Sequence, residues 1–477
     1  MEDERVTDYI FDKIIEIEDL NRNLIEKKIV TEHREIYFRI KEHIDEFLEG
    51  YSENRFMTLA GLRGVGKTTV LIQIYDYLKN KRNIPEERIL YFSADELKDY
   101  LGKNIFEVIT AFIGNIHETS PAKLDKELFI FIDESHYDPK WSKAGKIFYD
   151  KTEKIFFIFT GSSALNIEMN VDAVRRIKQE PVFPMNFHEY LLLKNKINSP
   201  EDYDKTLQEL VLKGKDIEKM RKKEKQMRMK LTKLDKPLEK EWKNFLLVGS
   251  FPFGLKIENN ELYRRIFKMI GRIIEKDIFS LKSFNTDSIS TISQIISYIG
   301  LQDPGGTSNK KLARVLSKSQ KSIREILDVL EKTQLIFSVK PYGNAGKQIR
   351  KPWKYYFISS NINASLRYKL GKYNKNDRQF LGILAENHVA TYFFKIKETE
   401  NQYLNIFYDS GDNGVDFLID TGENIIPVEV GIGKKDKKQI KKAIAKYKSK
   451  YGIIVSNTTS QIKQDGDVIY IPLISIP

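Results

Sequence analysis

The sequence contains no cysteine, few histidines and no long apolar run, and each absence excludes a class of protein. Without cysteine, disulfides, thiolate metal sites and thiol nucleophiles are excluded. The six histidines are scattered and show no spacing typical of metal ligands. No run approaches the ~18 apolar residues that a membrane-spanning helix needs, and the acidic start "MEDERVTDYI" is unlike a secretory signal. The sequence therefore predicts a cytoplasmic protein with no membrane partner.

The charge balance indicates which partners to expect. Lysine and arginine outnumber the acidic residues by 79 to 67, which gives a net charge of +12. This surplus favours polyanionic partners such as DNA, and a lysine-rich proteome would explain it equally well. With 477 residues, 41% of them hydrophobic, the chain is long enough for about two to four domains. Its high content of charged residues, 31%, is also typical of proteins from hot environments.

A glycine-rich stretch follows an apolar run and reads "GLRGVGKTT". It fits the pattern G-x-x-x-x-G-K-[ST], in which glycines let successive backbone N–H groups turn toward an anion. The order of strand (Arg55 to Ala60), loop and helix (Lys67 to Leu78) is the one that a phosphate site requires. A purely structural turn is the alternative, but this context favours a loop that binds the phosphates of ATP.

Each residue of this P-loop has an expected role. Lys67 is expected to reach the β- and γ-phosphates, and the Thr68 hydroxyl is expected to bind Mg²⁺. Arg63 is a candidate contact for phosphate or for a partner. The predicted nucleotide-binding residues are Gly61, Arg63, Gly64, Val65, Gly66, Lys67, Thr68 and Thr69.

A second apolar run, Leu128 to Ile132, ends in Asp133 and Glu134. A strand this apolar is typical of a parallel sheet buried on both faces, and ligands bind at the carboxyl ends of such strands. We expect Asp133 to hold Mg²⁺ through water, as in the Walker B motif, and Glu134 to act as general base on the attacking water. The acidic pair alone would also fit a solvated turn; the P-loop upstream favours catalysis.

A third apolar run leads to hydroxyl residues and then to two arginines. Thr160, Ser162 and Ser163 are candidates to sense the γ-phosphate. Arg175 or Arg176 is a candidate arginine finger for a neighbouring subunit, a contact that accelerates hydrolysis by ~10³–10⁵. A solvated basic surface is the alternative. An arginine that acts in trans would require an oligomer.

Four stretches are similar to successive signatures of AAA+-type ATPases from archaea and bacteria: "GLRGVGKTT", "FIFIDESHYDPKW", "FIFTGSSAL" and "VFPMNFHEYLLLK". The resemblance spans nearly the whole chain. It implies an α/β P-loop NTPase core with a helical lid, a winged helix and a C-terminal α/β domain similar to restriction endonucleases. It also implies a ring, often a hexamer. The expected boundaries are 1–50 for an N-terminal helical segment, 51–195 for the ATPase core, 196–285 for the lid with a lysine-rich insertion, 286–370 for the winged helix and 371–477 for the nuclease-like domain.

The middle of the chain is polar and rich in lysine. From Ser199 to Lys243 only a thin apolar stripe is present, which predicts a projecting helical hairpin. Such a hairpin would contact nucleic acid or a subunit, or would simply be a solvated insertion. The following helix is interpreted as the lid, in which Arg264, Arg265 or Arg272 is a candidate to reach the nucleotide.

The segment from Thr307 to Gly343 has the pattern of a helix-turn-helix. It predicts helices from Lys310 to Leu316 and from Lys321 to Thr333, followed by two extended segments around a loop rich in Gly and Lys. This order is typical of a winged helix, which binds DNA or protein. The basic residues expected to face DNA are Lys318, Lys321, Arg324, Lys347, Arg350 and Lys351.

The C-terminal residues resemble the PD-(D/E)XK nuclease fold. The resemblance implies a magnesium site formed by Glu386 on a helix and by Asp416 and Glu429 on two adjacent strands. It also implies a lysine two positions after the second strand carboxylate, where this chain has Gly431. Lys434 or Lys435 could substitute, but displacement along a strand usually misplaces the side chain, and ~1 Å already costs ~10²-fold. We therefore expect a degenerate domain that binds DNA or holds subunits together.

Together these patterns predict an oligomeric, Mg²⁺-dependent ATPase that translocates or remodels duplex or branched DNA. Two other classes of function remain open. One is a slow nucleotide switch in signalling or defence that acts on protein partners. The other is a nuclease gated by ATP. Stimulation of ATP hydrolysis by DNA would separate the first interpretation from the switch, and metal-dependent cutting would favour the nuclease.

Overall fold

A computed structural model describes residues 2–26, 32–51, 53–162, 169, 171–255, 257, 259–278, 286–302, 306–400, 403–433, 435 and 437–477. Ser163 and Lys434 therefore lie outside the described residues. The chain divides into two compact units, Met1–Val182 and Phe183–Pro477. No helix in the described part of the chain is both long and apolar enough to cross a membrane.

The first unit is built on a five-stranded sheet in which every pairing is parallel. Its order is β2-β3-β4-β1-β5, so β1 lies between β4 and β5. The first four strands are almost wholly buried, as their continuous apolar sequences predict. The strands are β1 (Phe56–Ala60), β2 (Ile89–Ser93), β3 (Leu128–Asp133), β4 (Ile155–Gly161) and β5 (Lys178–Gln179). The predicted parallel α/β core is confirmed.

Helices cover this sheet. The P-loop helix begins at Lys67, as predicted, and continues to Lys81, three residues beyond the predicted end. A hydrophobic cluster joins α1, α5 and α6 to the strands and includes Ile10, Val108, Trp141 and Phe157. The helices are α1 (Glu2–Glu26), α2 (Glu35–Leu48), α3 (Lys67–Lys81), α4 (Ala94–Glu96), α5 (Ile105–Ala111), α6 (Trp141–Lys151) and α7 (Val171–Val174).

The second unit contains an eight-stranded mixed sheet of order β12-β13-β11-β10-β9-β8-β6-β7. The hairpin β6–β7 continues this sheet because β6 pairs with β8 in parallel. The sheet thus includes strands from both segments 286–370 and 371–477. Its strands are β6 (Ile336–Pro341), β7 (Lys354–Phe357), β8 (Asn405–Tyr408), β9 (Phe417–Asp420), β10 (Ile425–Gly431), β11 (Gly452–Ser456), β12 (Lys463–Asp465) and β13 (Val468–Pro472).

The described part of this unit also contains twelve α-helices. They are α8 (Phe187–Asn195), α9 (Tyr203–Lys213), α10 (Ile217–Leu231), α11 (Leu238–Asn244), α12 (Asn259–Arg272), α13 (Thr286–Leu301), α14 (Asn309–Val315), α15 (Gln320–Lys332), α16 (Ala345–Arg350), α17 (Ser360–Lys369), α18 (Arg378–Thr399) and α19 (Lys437–Tyr447). The core face predicted for α15, formed by Ile323, Ile326, Leu327 and Leu330, is buried.

The prediction that the lysine-rich hairpin projects from the fold is wrong. Helices α9 and α10 pack against the C-terminal residues of the same unit. The buried Glu224 carboxylate accepts a hydrogen bond of 2.8 Å from the Ile462 backbone N–H, and the Tyr451 hydroxyl donates one of 2.9 Å to the Val211 carbonyl. Met220 and Met227 are buried on the same side. The thin apolar stripe is sufficient because polar groups on the packed face find backbone partners.

The Gly- and Lys-rich loop between β6 and β7 also differs from the prediction, because it contains the short helix α16. Its start is capped by Asn344, whose side chain accepts a 2.9 Å hydrogen bond from the Lys347 backbone N–H. Asparagine is a strong N-cap residue, so the local sequence explains this helical turn.

Candidate functional site

The glycines of the P-loop are required by its backbone. Gly64 and Gly66 have φ angles of +79° and +99°, which side chains with a Cβ rarely adopt. At Gly61 a Cβ would overlap the carbonyl oxygen of Val182. The Arg34 guanidinium, which is buried, donates a 2.7 Å hydrogen bond to the Val65 carbonyl. The loop is therefore held in one shape from both sides.

Lys67 lies at the start of α3 and its ammonium is turned onto the loop. It is buried and donates to the carbonyl oxygens of Gly61, at 2.9 Å, and Leu62, at 3.1 Å. In the same helical turn Thr69 is half-buried, whereas Thr68 is exposed. A cation that is held by two carbonyls next to a helix N-terminus is suited to receive a phosphate.

Asp133 is the centre of a hydrogen-bond network at the carboxyl ends of the strands. One carboxylate oxygen accepts from the Thr68 hydroxyl at 2.6 Å and from Tyr91 at 3.4 Å. The other accepts from the Thr160 hydroxyl and, at 3.0 Å, from the Glu134 backbone N–H. Burial and the Asp133 charge raise the pKa of Tyr91, so its hydroxyl stays protonated and can donate. The network brings residues of β2, β3 and β4 and the P-loop to one point.

Glu134 follows β3 in a left-handed conformation, with φ +49°. One of its carboxylate oxygens is 3.3 Å from the Arg63 guanidinium, and the other is 3.4 Å from His136 Nδ1. Burial raises the pKa of Glu134, while the nearby Lys67 and Arg63 charges oppose the rise. A carboxylate of increased basicity beside a P-loop is suited to accept a proton from water.

The hydroxyls after β4 occupy the same edge of the sheet. Thr160 also lies 3.4 Å from the Glu134 backbone N–H. Ser162 is buried, and its hydroxyl has no hydrogen-bond partner within the described ranges. The structure thus brings together Lys67, Thr68, Asp133, Glu134 and Thr160.

The two candidate finger arginines have different surroundings. Arg176 donates to the Asp150 carboxylate at 2.7 Å and to the Asp172 carbonyl at 2.8 Å. Arg175 is exposed and makes no ion pair with any residue that the structure describes. The predicted lid arginines, Arg264, Arg265 and Arg272, are exposed in the second unit.

Arg34 and Tyr91 carry no motif that would predict them from sequence. Arg34 lies outside the glycine-rich pattern, just before α2. Tyr91 lies in the apolar strand β2, and its only signal is that a buried tyrosine hydroxyl usually needs a partner.

The second unit contains a separate cluster of the three predicted acids. Glu386, on α18, accepts hydrogen bonds from the Tyr356 hydroxyl at 2.6 Å and from the Lys354 ammonium at 3.3 Å. Glu429, on β10, accepts one of 2.8 Å from Lys435. Asp416 accepts a 2.8 Å hydrogen bond from the Val430 backbone N–H. Two strands and one helix therefore meet here, as the resemblance implies.

Burial has the largest effect on the pKa values of the two glutamates in this cluster. Burial and the Asp416 charge raise the pKa values of both Glu386 and Glu429 to about 7, against the effects of Lys354 and Lys435 respectively. A Cβ at Gly431 would overlap the Lys435 side chain. Lys435 thus occupies the space where a side chain at position 431 would begin. No group of three or more acidic or histidine residues within the described ranges is arranged to hold a metal ion.

Comparison with known families identifies three segments. The model described as an AAA domain matches residues 53–191. Two domains of unknown function, DUF8612 and DUF4143, match residues 239–372 and 381–476.

Relatives that match most of the chain are also found. The chain is 33% identical over 442 residues to the uncharacterized protein MJ1637 of Methanocaldococcus jannaschii, covering 91% of this chain and 87% of that protein. It is 24% identical to an uncharacterized protein of Haemophilus influenzae, covering 70% and 74%. A solved structure of the Aeropyrum pernix ORC1 protein in complex with DNA superposes with a TM-score of only 0.30 at 12% identity, covering 72% and 94%. The chain thus carries an AAA-type P-loop ATPase domain and belongs to the same family as MJ1637 of Methanocaldococcus jannaschii.

Proposed function

We propose that this chain hydrolyses ATP with Mg²⁺ and that an oligomer uses the energy to translocate along or remodel DNA. The observation that carries the proposal is that Thr68, Asp133 and Glu134 lie together. The Thr68 hydroxyl donates a hydrogen bond of 2.6 Å to the Asp133 carboxylate. A hydroxyl and a carboxylate are the hard oxygen ligands that Mg²⁺ prefers. The general base is then the next residue along the chain from the metal-binding carboxylate.

The residues of the site divide the work of hydrolysis. The P-loop N–H groups and Lys67 would bind the phosphates of ATP. Thr68, and Asp133 through water, would hold Mg²⁺, which would supply positive charge to the phosphate oxygens. Glu134 accepts the proton of the attacking water, and its raised pKa supports this role. Thr160 is bonded to Asp133 and positions it while sensing the nucleotide.

Assembly is supported by the region around α7. Val171 and Val174 are 82% and 44% exposed there, and Arg175 next to them is exposed as well. Arg176 is already bonded to Asp150 and to the Asp172 carbonyl. We therefore assign the finger that acts in trans to Arg175, in a ring of the kind that AAA+ resemblance implies.

The C-terminal cluster does not fit a resident metal ion, because Glu386 and Glu429 are each bonded to a lysine. We propose that this cluster braces the sheet of a DNA-binding or subunit-binding domain, and we derive no cleavage step through it. Incubation with labelled DNA and Mg²⁺ or Mn²⁺ tests this. Cutting by the wild type that is lost in Asp416→Ala would contradict the proposal.

The main experiment measures ATP hydrolysis by the full chain, first alone and then with single-stranded, duplex and four-way-junction DNA. Lys67→Ala is the blank. Several-fold stimulation by one form of DNA is expected. A rate that is indifferent to all of them would refute the DNA motor and favour a nucleotide switch with protein partners.

A further inference from the structure

We propose that the groove between the start of α15 and the α16–β7 segment binds a single strand of nucleic acid. This deepens the proposed function and rests on its DNA partner. The groove has a volume of about 580 Å³. Its walls include Lys310, Lys321, Arg324, Arg350 and Lys351, and Asp328 is the one acidic residue among its described lining residues.

Positive charge exceeds negative charge among the described residues of this groove. Lys310, Lys321, Arg324 and Lys351 are exposed, and none forms an ion pair within the described ranges. Like charges that share a concave surface repel one another and raise the local potential, which a polyanion relieves. An adjoining depression adds Lys311, Arg314 and Lys318, so the basic surface continues beyond the groove.

A helix end contributes to the same anion site. Helix α15 has 13 residues and begins after Ser319, whose hydroxyl accepts a 3.0 Å hydrogen bond from the Ser322 backbone N–H. Its first two residues, Gln320 and Lys321, line the groove. The positive end of the helix and the Lys321 and Arg324 side chains are thus on one wall, an arrangement that binds phosphate.

The shape of the groove selects a strand rather than a duplex. Proteins that read B-DNA insert a convex helix or ribbon into the ~12 Å major groove. Here Lys321 and Arg324 instead line a concavity together with Ile349, Trp353 and Tyr355. Aromatic rings beside a basic track stack unpaired bases, and a volume of 580 Å³ is within the ~300–1,000 Å³ range of pockets that enclose small ligands.

The proposal is tested by fluorescence anisotropy. The full chain is titrated into a labelled oligothymidylate of about 15 nucleotides and, separately, into a labelled duplex of equal length. We expect tighter binding of the single strand. The double variant Lys321→Ala/Arg324→Ala is expected to weaken binding roughly ten-fold or more. It should also reduce the slope of log K against log salt by about 1.4, since each phosphate contact contributes about 0.7 on a single strand.

The matched control is Lys123→Ala/Lys126→Ala, which removes two exposed lysines from the loop before β3 in the first unit. Trp353 supplies a second signal, because Trp141 and Trp242 are buried and Trp353→Phe should abolish most of the fluorescence quenching by the strand. Equal losses in both double variants, or preference for the duplex, would overturn the groove assignment. If DNA still stimulated ATP hydrolysis in that case, the proposed function would stand. If the groove binds the single strand but DNA does not stimulate ATP hydrolysis, the proposed DNA motor is refuted and the groove assignment stands.

Discussion

Glu429→Gln is expected to change the pH dependence of stability in the second unit. The Glu429 side chain is only 4% exposed, and burial together with the Asp416 charge raises its pKa from 4.5 to about 7. Because the folded state keeps this proton to a higher pH than the unfolded state, the stability contributed by Glu429 is complete below about pH 4.5 and is lost as the pH rises toward 7. Glutamine carries no such titration.

The size of the effect follows from the shift. One pKa unit corresponds to about 1.36 kcal/mol. Between about pH 5 and pH 8, the wild type should therefore lose about 2 to 3 kcal/mol in free energy of unfolding relative to the variant. Urea denaturation in a Trp141→Phe background measures this, because Trp242 and Trp353 are then the remaining tryptophans and both lie in the second unit.

The control is Glu423→Gln, which removes an exposed carboxylate from the turn before β10. Its difference from the wild type should stay flat with pH. A flat difference for Glu429→Gln as well would refute the reasoning about burial. If Mg²⁺ stabilised the wild type at about pH 8 but not Glu429→Gln, a metal ion would be displacing Lys435. That result would contradict the proposal that lysines, and not a metal ion, pair with these acids.

Four further predictions concern variants of the ATPase domain. Lys67→Ala should reduce hydrolysis at least ~10²-fold, because the loop loses its phosphate-binding cation; nucleotide-binding assays should show the same loss. Glu134→Gln should retain ATP binding while turnover falls ~10²–10⁴-fold, and normal turnover would exclude Glu134 as general base. Arg175→Ala should reduce turnover by ~10³ and be rescued in mixtures with Lys67→Ala subunits. Arg176→Ala should mainly lower the melting temperature through loss of its Asp150 contact, and the reverse ranking would exchange the two assignments.

The core of the first unit could be predicted because its signals are local and obligatory. The P-loop pattern prescribes a glycine at position 66, where φ is positive, and the continuous apolar strands are typical of a parallel sheet buried on both faces. The meeting of Thr68 with Asp133 follows from these two facts, since β1 and β3 end at the same edge. Arg34 could not be predicted, because its contact with the Val65 carbonyl depends on where α2 begins in space and on no local pattern.

The lysine-rich hairpin shows how composition misleads. A helix with few apolar residues is expected to be solvated, but α10 packs through Met220, Met227 and the hydrogen-bonded Glu224. What decides is the backbone N–H of Ile462, which donates to Glu224 and whose position is set by the C-terminal chain far away in sequence.

The geometry of a regular strand does not predict how a lysine reaches Glu429 when position 431 is a glycine. On a strand, displacement of a lysine by four residues should move it away from the neighbouring carboxylate. The strand, however, ends at Gly431, and the chain turns through Gly433, which has a φ angle of +111°. Lys435 then returns along the space that the missing side chain leaves open and bonds to Glu429. The glycine therefore does not delete the lysine from the cluster; it makes room for one that arrives from the following turn, and any side chain introduced at position 431 must expel Lys435 from Glu429.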